Sequence, residues 1–274
     1  MFRTSHAFAY GIIGLLTVFA LFPLFWMVSS SLKSYADIYT FPPVYFPESI
    51  SLQAYERVLT STPFAMFFWN SLIVATASTF IGVALACMAG YSLSRARLRG
   101  REFLLKAILT AYLFPQILIV VPLFTAISAL GLAGTYAGAI IAYITIIFPF
   151  STWMMMAYFS KIPEEIEEAA RIDGASSFHI FWRIVLPLAA PGVVTVLIFS
   201  FINAWNEFLL SLIILGGGER RTLPVGLFNF IGGEFAQWGE MMAATTMTML
   251  PTLILFLIIQ RRLVGGLTAG AVRG

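Results

Sequence analysis

The chain has 274 residues, of which 59% are hydrophobic and 11% are charged, with a formal net charge of +3 and a mean hydropathy of +0.90. Soluble domains are about 45–50% apolar, and a large soluble core would need more charged residues on its surface than this chain has. The composition therefore predicts an all-α membrane protein. The one cysteine, Cys87, lies in an apolar run, so we expect neither a disulfide framework nor a cysteine-based metal site.

Six apolar segments are long enough to form transmembrane helices, each of which needs roughly 20 mostly apolar residues. They comprise residues 7–32, 64–93, 104–127, 136–159, 191–215 and 241–259, within a single membrane domain covering residues 1–274. The first is predicted to be a retained span, because its uncharged stretch exceeds the roughly 7–15 residues of a signal-peptide core. The third and fourth share one uncharged run, and Gly131 and Gly134 predict the break between them.

Several prolines fall inside these segments and predict kinks, because a proline removes a backbone donor. They are Pro23, Pro115, Pro122, Pro149 and Pro251. Two interpretations are open from the sequence: ordinary irregularity of membrane helices, which neighbouring helices accommodate, and hinges for alternating access.

The lysines and arginines predict the orientation, because cytoplasmic loops of membrane proteins carry an excess of these residues. With the N-terminus inside, 12 of the 16 basic residues fall on the inner side. The outer side holds Lys33, Arg57, Arg220 and Arg221. We therefore predict that both termini, the loop of residues 160–190 and the tail of residues 260–274 are cytoplasmic. The positive net charge then reflects topology, and no nucleic-acid partner is expected.

The loop of residues 160–190 concentrates charge in an otherwise apolar chain. Pro163 fits a first helical position, acidic residues follow in the first turn, where the helix dipole favours them, and Gly174 fits the position just after the helix. Ser176 or Ser177 can cap a second short helix that ends before Pro187. The pattern predicts a helix–turn–helix at the cytoplasmic face whose apolar positions must be covered by a partner.

The same loop carries a spaced motif. Glu168-Ala169-Ala170, three residues, Gly174, nine residues and then Ile184-Val185-Leu186-Pro187 resembles the EAA motif of ABC importer permeases of type I at every defined position. In that family the loop is the coupling helix, which docks in a groove on the cytoplasmic ATPase. The resemblance implies a set of ATPase-coupling residues: Glu168, Ala169, Ala170, Asp173, Gly174, Ala175, Ile184, Leu186 and Pro187.

Three further stretches are similar to the carbohydrate-importer branch of that family, and specifically to its MalG-like subunit. They are Ala204–Leu210, Thr222–Leu227 and Gln260–Gly274. The resemblance implies a bacterial-type inner membrane location and four kinds of partner: the lipid bilayer, a second, MalF-like permease, two ATP-binding subunits and an extracytoplasmic solute-binding protein. It also implies that ATP and Mg²⁺ are bound by the partner ATPase, and that this chain binds no cofactor and is not an enzyme.

One ionisable residue, Glu207, lies inside a predicted span, with Asn203 four residues before it and Asn206 beside it. An ionisable group in a membrane is costly and marks a functional-site hypothesis. The two interpretations are a polar lining of the translocation path and a structural hydrogen bond between spans.

The remaining sequence offers no convincing set of catalytic or metal-ligating residues. There is no GxxxxGK[ST] phosphate-binding loop, and the two histidines, His6 and His179, are far apart. We therefore expect a permease subunit of an ATP-driven importer for a carbohydrate or polyol-like solute. The alternative is a self-sufficient secondary transporter or channel; it is disfavoured because only Glu207 could relay an ion or proton and because the EAA spacing would be unexplained. A membrane enzyme lacks the necessary residues.

Overall fold

The computed structural model describes the backbone of residues 2–95, 100–230 and 237–271, and the side chains of residues 8–95, 100–228, 230 and 237–258. All regular structure in these ranges is helical. The first seven helices are α1 (Phe2–Ser31), α2 (Tyr35–Ile38), α3 (Gln53–Ser61), α4 (Phe64–Arg95), α5 (Arg101–Leu113), α6 (Gln116–Ala129) and α7 (Tyr136–Phe159). The others are α8 (Glu164–Ile172), α9 (Ser177–Ile180), α10 (Leu186–Leu188), α11 (Ala190–Trp205), α12 (Leu209–Leu215), α13 (Leu223–Leu227) and α14 (Trp238–Ala271).

Four helical segments of the described chain are long and apolar enough to cross a membrane by themselves. They are Phe8–Ser31, Phe64–Arg95, Tyr136–Phe159 and Trp238–Ile258. Two bent pairs of helices are also long and apolar enough to cross a membrane when each pair is counted as one span, which gives up to six spans. The chain is therefore an all-α protein with a multi-span composition.

The third predicted span is not one straight helix. The segment 104–127 is divided between α5 and α6, which are bent by 101° relative to each other. Phe114 is extended and Pro115 stands at the N-terminal cap of α6. The residue before a proline is disfavoured in helical conformation, so the chain leaves the helix at Phe114 and starts a new one after Pro115.

The fifth predicted span, 191–215, is also interrupted. Helix α11 has 16 residues, which is about 24 Å at 1.5 Å per residue and shorter than the ~30 Å hydrocarbon core. The chain breaks at Asn206–Phe208 and continues as α12. Glu207 therefore lies in a break between two helices, and the expectation that it lies within a continuous span was wrong.

The last helix extends further than its predicted span. The predicted tail, 260–274, continues α14 as far as Ala271, and residues 272–274 lie outside the described part of the chain. In the middle of the chain, the predicted break near Gly131 and Gly134 is present, because α6 ends at Ala129 and both glycines have positive φ angles of 70° and 73°.

By its internal contacts the chain forms two compact units. Unit 1 contains the residues up to Met66 together with Gly226–Pro251, and unit 2 contains Phe67–Val225 together with the residues from Thr252 onwards. Within unit 1, the Tyr35 hydroxyl donates a hydrogen bond to the buried carboxylate of Glu240, and Arg57 lies 3.8 Å from the same carboxylate. Burial, reinforced by this hydrogen bond, raises the pKa of Tyr35 to about 12. The Tyr35 hydroxyl therefore keeps its proton at physiological pH and remains a donor to Glu240.

Helix α7 is the centre of unit 2 and packs against α5, α11 and α12. Small residues on its neighbours allow a close approach, as is common between helices in membranes. A Cβ atom added at Gly90 of α4 would lie only 2.8 Å from the backbone nitrogen of Met156 on α7. Ser151 and Ser200 share a buried hydrogen bond of 3.0 Å between α7 and α11. Close backbone contact and one polar pair thus hold these helices together.

We expect Gly90→Ala to lower the thermal unfolding temperature of the purified protein, because α4 must move away from α7 to admit the methyl group. Overpacking of this kind typically costs about 1–3 kcal/mol. Gly14→Ala is the matched control, since a methyl group added there would meet nothing within 4 Å and Gly14 also lies within a long helix. An equal unfolding temperature for both variants would contradict the close contact between α4 and α7.

Candidate functional site

The first half of the charged loop forms α8, which begins at Glu164 and has three acidic residues in its first turn. Pro163 is the N-cap residue, one position earlier than the sequence predicts, with an extended ψ of 134°. Gly174 has a φ of +85°, and the Ala175 N–H donates to the Ala170 carbonyl at 2.9 Å. This left-handed glycine closes the helix as predicted, because residues with a Cβ rarely adopt such a φ.

The second half of the loop begins where predicted but ends later. The Ser176 hydroxyl accepts a hydrogen bond from the His179 N–H and caps α9. The helical run then passes through a π-helical turn, Phe181–Val185, and includes Pro187 in α10. The prediction that the helix ends before Pro187 was wrong. A proline ring clashes with the carbonyl four residues earlier in a regular helix, and the wider π turn before Pro187 accommodates it.

The predicted coupling residues divide between a shared surface groove and its surroundings. The groove is lined by Ala170, Asp173, Gly174, Ala175, Ser176, His179 and Ile184. Glu168, Ala169 and Pro187 are exposed outside this lining, and Leu186 is half-buried. The structure therefore brings five of the predicted coupling residues into one groove, which is formed by the end of α8, the turn at Gly174 and the π-helical turn.

Large apolar side chains on the same loop are exposed. Ile172 is 86% exposed and Phe178 is 74% exposed. Apolar groups of this size on a charged loop outside the spans favour a protein partner over water. The loop therefore has a surface suited to docking.

Glu167 was not predicted as a site residue, yet it is the buried acidic residue of α8, with 1% of its surface exposed. Arg95 Nε donates to its Oε1 at 2.6 Å, and the Tyr91 hydroxyl donates to its Oε2 at 2.6 Å. Arg171 lies 3.5 Å from the same carboxylate. Removing one partner of a buried ion pair typically costs about 3–5 kcal/mol. The available signal was the pair Tyr91 and Arg95, four residues apart at the end of α4, which places both on one side of the helix.

A second site lies within unit 2, where a cavity of about 400 Å³ opens among α5, α6, α7 and α11. Its polar lining consists of Gln116, Thr145, Ser200, Asn203 and Glu207, and its aromatic lining consists of Tyr112, Phe114, Phe150 and Phe199. The Phe150 ring centroid lies 5.3 Å from that of Tyr112 and 4.2 Å from that of Phe199. The cavity thus combines a continuous aromatic row with amide, hydroxyl and carboxylate groups.

Glu207 makes the structural hydrogen bond between helices that was one of the two alternatives, and it also lines the cavity. Its Oε1 accepts from the Leu210 N–H at 2.6 Å, which caps the start of α12, and its Oε2 accepts from Gln116 Nε2 at 3.0 Å. The Tyr143 hydroxyl donates to its backbone carbonyl at 3.2 Å. Glu207 is only 9% exposed, and no lysine or arginine of the described chain lies within salt-bridge distance of it. Neutral donors therefore satisfy this carboxylate, which also forms part of the cavity wall.

The two asparagines predicted beside Glu207 have different positions. Asn203 is exposed on the cavity wall and donates to the Phe199 carbonyl at 2.8 Å. Asn206 is also exposed but does not line the cavity, and it donates to the Ile202 carbonyl at 2.7 Å. Gln116 was missed by the sequence analysis, because it comes from a distant segment and follows the break at Pro115.

The family of the chain follows from comparison with known proteins. The model of the family described as "Binding-protein-dependent transport system inner membrane component" matches residues 78–268. This chain belongs to that family. The matched region includes the charged loop of residues 160–190 and the cavity of unit 2. The chain is therefore a membrane component of a binding-protein-dependent transport system, as the EAA spacing predicted, and the alternative of a self-sufficient secondary transporter or channel is not retained.

Relatives within the family resemble this permease over nearly its whole length. The sulfoquinovosyl glycerol transport system permease protein SmoH of Agrobacterium fabrum is 38% identical over 261 residues, 95% of this chain and 91% of the relative. The trehalose/maltose transport system permease protein MalG of Thermococcus litoralis is 37% identical over 267 residues, 95% of this chain and 94% of the relative. A crystal structure of a bacterial ABC transporter that imports the acidic polysaccharide alginate contains a chain with a TM-score of 0.84 and 26% identity, covering 94% of this chain and 96% of that one.

We expect Glu207→Ala to destabilise the permease, because it leaves the Leu210 N–H and the Gln116 amide without their acceptor. Each unsatisfied buried polar group typically costs about 1–3 kcal/mol. Glu207→Gln retains an oxygen for the cap and should lose less. Asn206→Ala is the control, since that side chain is exposed and bonds only within its own helix. Thermal unfolding in detergent checks the order, and equal stability of Glu207→Ala and Asn206→Ala would exclude the capping role.

Proposed function

We propose that this chain is the permease subunit of an ATP-driven importer that takes up a carbohydrate or a related polyol-like solute. The observation that carries the proposal is the cavity of unit 2, in which an aromatic row faces amide and carboxylate groups. The names of the relatives support the solute class, because they include permeases for trehalose/maltose and for sulfoquinovosyl glycerol.

The cavity has the chemistry that a sugar ring requires. A sugar has an apolar face of C–H groups, which suits the flat rings of Phe150 and Phe199, and an edge of hydroxyl groups, which suits the amides of Gln116 and Asn203. A volume of about 400 Å³ lies within the roughly 300–1,000 Å³ of small-molecule sites. Sites that hydrogen-bond a substrate hydroxyl reject analogues that lack it, so the polar edge supplies selectivity and the rings supply contact area.

The proposed mechanism is alternating access. Two ATP-binding subunits, which bind the ATP and Mg²⁺, contact the groove of the coupling loop, and their closure moves the loop and switches the helices. An extracytoplasmic solute-binding protein delivers the solute, and a second, MalF-like permease forms the other half of the pore. The exposed Ile172 and Phe178 support a protein partner on the loop. The chain itself carries out no covalent chemistry.

The proposed orientation places both termini and the coupling loop in the cytoplasm. It is supported by the distribution of basic residues, 12 of 16 of which fall on the proposed inner side. In this orientation the groove faces the compartment that contains ATP. The hydrogen bond between Tyr35 and Glu240 then lies on the extracytoplasmic side.

We expect Phe150→Leu to raise the KM for solute uptake by about 2- to 10-fold, because an aromatic contact is worth ~0.5–1.5 kcal/mol beyond its buried area. The leucine keeps an apolar side chain at this position. Uptake of radiolabelled trehalose, maltose and sulfoquinovosyl glycerol by proteoliposomes with the complete transporter would measure the change. Phe148→Leu is the control, because Phe148 belongs to the same helix but does not line the cavity. An unchanged KM in Phe150→Leu for every transported sugar would remove the aromatic row from the solute site.

A separate prediction concerns docking of the loop. We expect Glu168→Lys and Gly174→Trp to reduce co-purification of the ATPase, because the first reverses a charge suited to a basic partner and the second fills the open side of the groove. Gly100→Trp is the control for Gly174→Trp, since both glycines have positive φ angles, of 82° and 85°, and open space around them. Glu165→Lys is the control for the charge reversal.

The docking assay has two parts: co-purification of the ATPase with each variant, and solute-stimulated ATP hydrolysis in proteoliposomes. The expected result is correct membrane insertion with reduced ATPase association in the two test variants and near-native association in the controls. Full association and full stimulation in both Glu168→Lys and Gly174→Trp would refute the assignment of this loop as the coupling element.

A further inference from the structure

The acidic residues of α8 differ in their exposure to solvent. Glu164, Glu165 and Glu168 are exposed, whereas Glu167 is 1% exposed. Both carboxylate oxygens of Glu167 are bonded by side chains of α4, at 2.6 Å from Arg95 and at 2.6 Å from the Tyr91 hydroxyl. A carboxylate held at both oxygens cannot rotate freely, so the middle of α8 is fixed to the end of α4.

Arg95 makes a second attachment at the entry to the loop. Its Nη2 donates to the backbone carbonyl of Ile162 at 2.7 Å, and its Nη1 lies 3.9 Å from the exposed carboxylate of Glu164. The guanidinium is a rigid planar fork. One side chain therefore holds α8 both just before its first turn and at Glu167, and two points of attachment oppose tilting of α8 relative to α4.

Tyr91 extends the same cluster to the segments that enter and leave the loop. Its ring centroid lies 5.7 Å from that of Phe159, the last residue of α7, and 5.0 Å from that of Phe181, in the π turn that follows α9. Phe159 and Phe181 are both buried. Around Glu167, the ends of α4 and α7 and the start of the π turn thus meet in one packed cluster.

The opposite side of α8 is free of this cluster. Glu168 and Ile172 are exposed there. Successive residues of a helix point about 100° apart, so Glu168 and Ile172 project away from Glu167, whereas Ala170, three residues after Glu167, is nearer to it on the helix surface and lines the groove. The residue that carries the docking charge, Glu168, is adjacent to the residue that holds the helix to its own subunit.

We propose that Glu167, Arg95 and Tyr91 form the link through which movement of the coupling loop is transmitted to α4. The three are positioning residues: the Glu167 side chain is 1% exposed and the Arg95 side chain 10% exposed, and their role is to hold α8 to α4. The inference rests on the proposed function, because it requires that a partner moves the loop. Under this assignment α8 and the end of α4 move as one body, and α4 carries that movement towards the rest of unit 2.

The test uses inside-out membrane vesicles that contain the complete transporter with the solute-binding protein in the lumen. In a Cys87→Ser background, Asn203→Cys places one thiol on the cavity wall, and its labelling rate by a membrane-impermeant maleimide is measured with and without ATP and Mg²⁺. With the native loop, ATP lowers the labelling rate as the cavity closes to the cytoplasm.

In Glu167→Gln we expect the ATPase to co-purify and to hydrolyse ATP, while the effect of ATP on labelling falls by about tenfold or more, since loss of one buried partner commonly exceeds the free energy of a tenfold change. Glu165→Gln makes the same chemical change on an exposed residue of the same helix and should keep the native response. A full ATP response in an assembled Glu167→Gln transporter would overturn the inference.

A double variant separates transmission from stability. Glu167→Leu combined with Arg95→Met leaves no unpaired buried charge, and such replacements are often neutral or stabilising. We expect native thermal stability but a reduced ATP response. Native stability with a fully restored response would show that packing alone transmits the movement and that the ion pair does not.

A distance measurement decides the question without disturbing the cluster. Spin labels at Ser92→Cys and Glu165→Cys, both at exposed positions, report the separation of α4 and α8. The inference requires the same distance without nucleotide and with trapped ATP, and a changed distance would overturn it. If the labelling rate at Asn203→Cys does not change with ATP even with the native loop, the proposed closure of the cavity is refuted. The distance between the spin labels then still decides whether α8 and α4 move together.

Discussion

A polar backbone group inside a bilayer needs a partner within the protein, because the hydrocarbon offers none. This constraint applies to the two interruptions that fall inside predicted spans of unit 2. At Pro115 the chain turns at a residue that has no N–H to satisfy. At the break after α11, the carboxylate of Glu207 accepts from the Leu210 N–H, and the Tyr143 hydroxyl bonds the Glu207 carbonyl. The two breaks border the same cavity, so Gln116 and Glu207 reach its wall from sites at which helices begin or end.

The charged loop shows how neighbouring residues of one type acquire different roles. Glu167 and Glu168 are adjacent and chemically identical, but only Glu167 points to Arg95 and Tyr91. Burial makes its interaction strong and makes its loss costly, whereas an exposed carboxylate such as Glu168 contributes little until a partner covers it. The loop is thus held to its own subunit by one acidic residue, while the next is exposed and, under the proposed function, contacts the ATPase.

The sequence predicted well those features that depend on local chemistry. The turn at Gly174 and the cap at Ser176 follow from the conformations that these residue types allow, and both are present. Helix α7 begins and ends at the predicted residues because Thr135 caps it and no interruption intervenes. The spaced motif of the loop indicated the family, and the family model confirmed it.

The missed features depend on contacts between distant segments. Gln116 reaches Glu207 across 91 positions, and Arg95 reaches Glu167 across 72. The periodicity of a single helix does not indicate such a contact. Arg95 was predicted only to be one of the basic residues of the inner side. The prediction of a continuous span through Glu207 was wrong for a related reason. A hydropathy profile does not detect a break at which a side chain supplies the hydrogen-bond partner of a backbone group.

Glu207 both caps α12 and lines the cavity, and this limits how the sequence of a related permease can change at that position. A residue that both caps α12 and lines the cavity cannot be exchanged to suit a new solute without disturbing the backbone beside it. Asn203 and Phe199 line the same cavity from within α11, and their side chains are not needed to satisfy the ends of a helix. Under the proposed function, changes in solute preference among related transporters should therefore accumulate at such wall positions rather than at the carboxylate of the break.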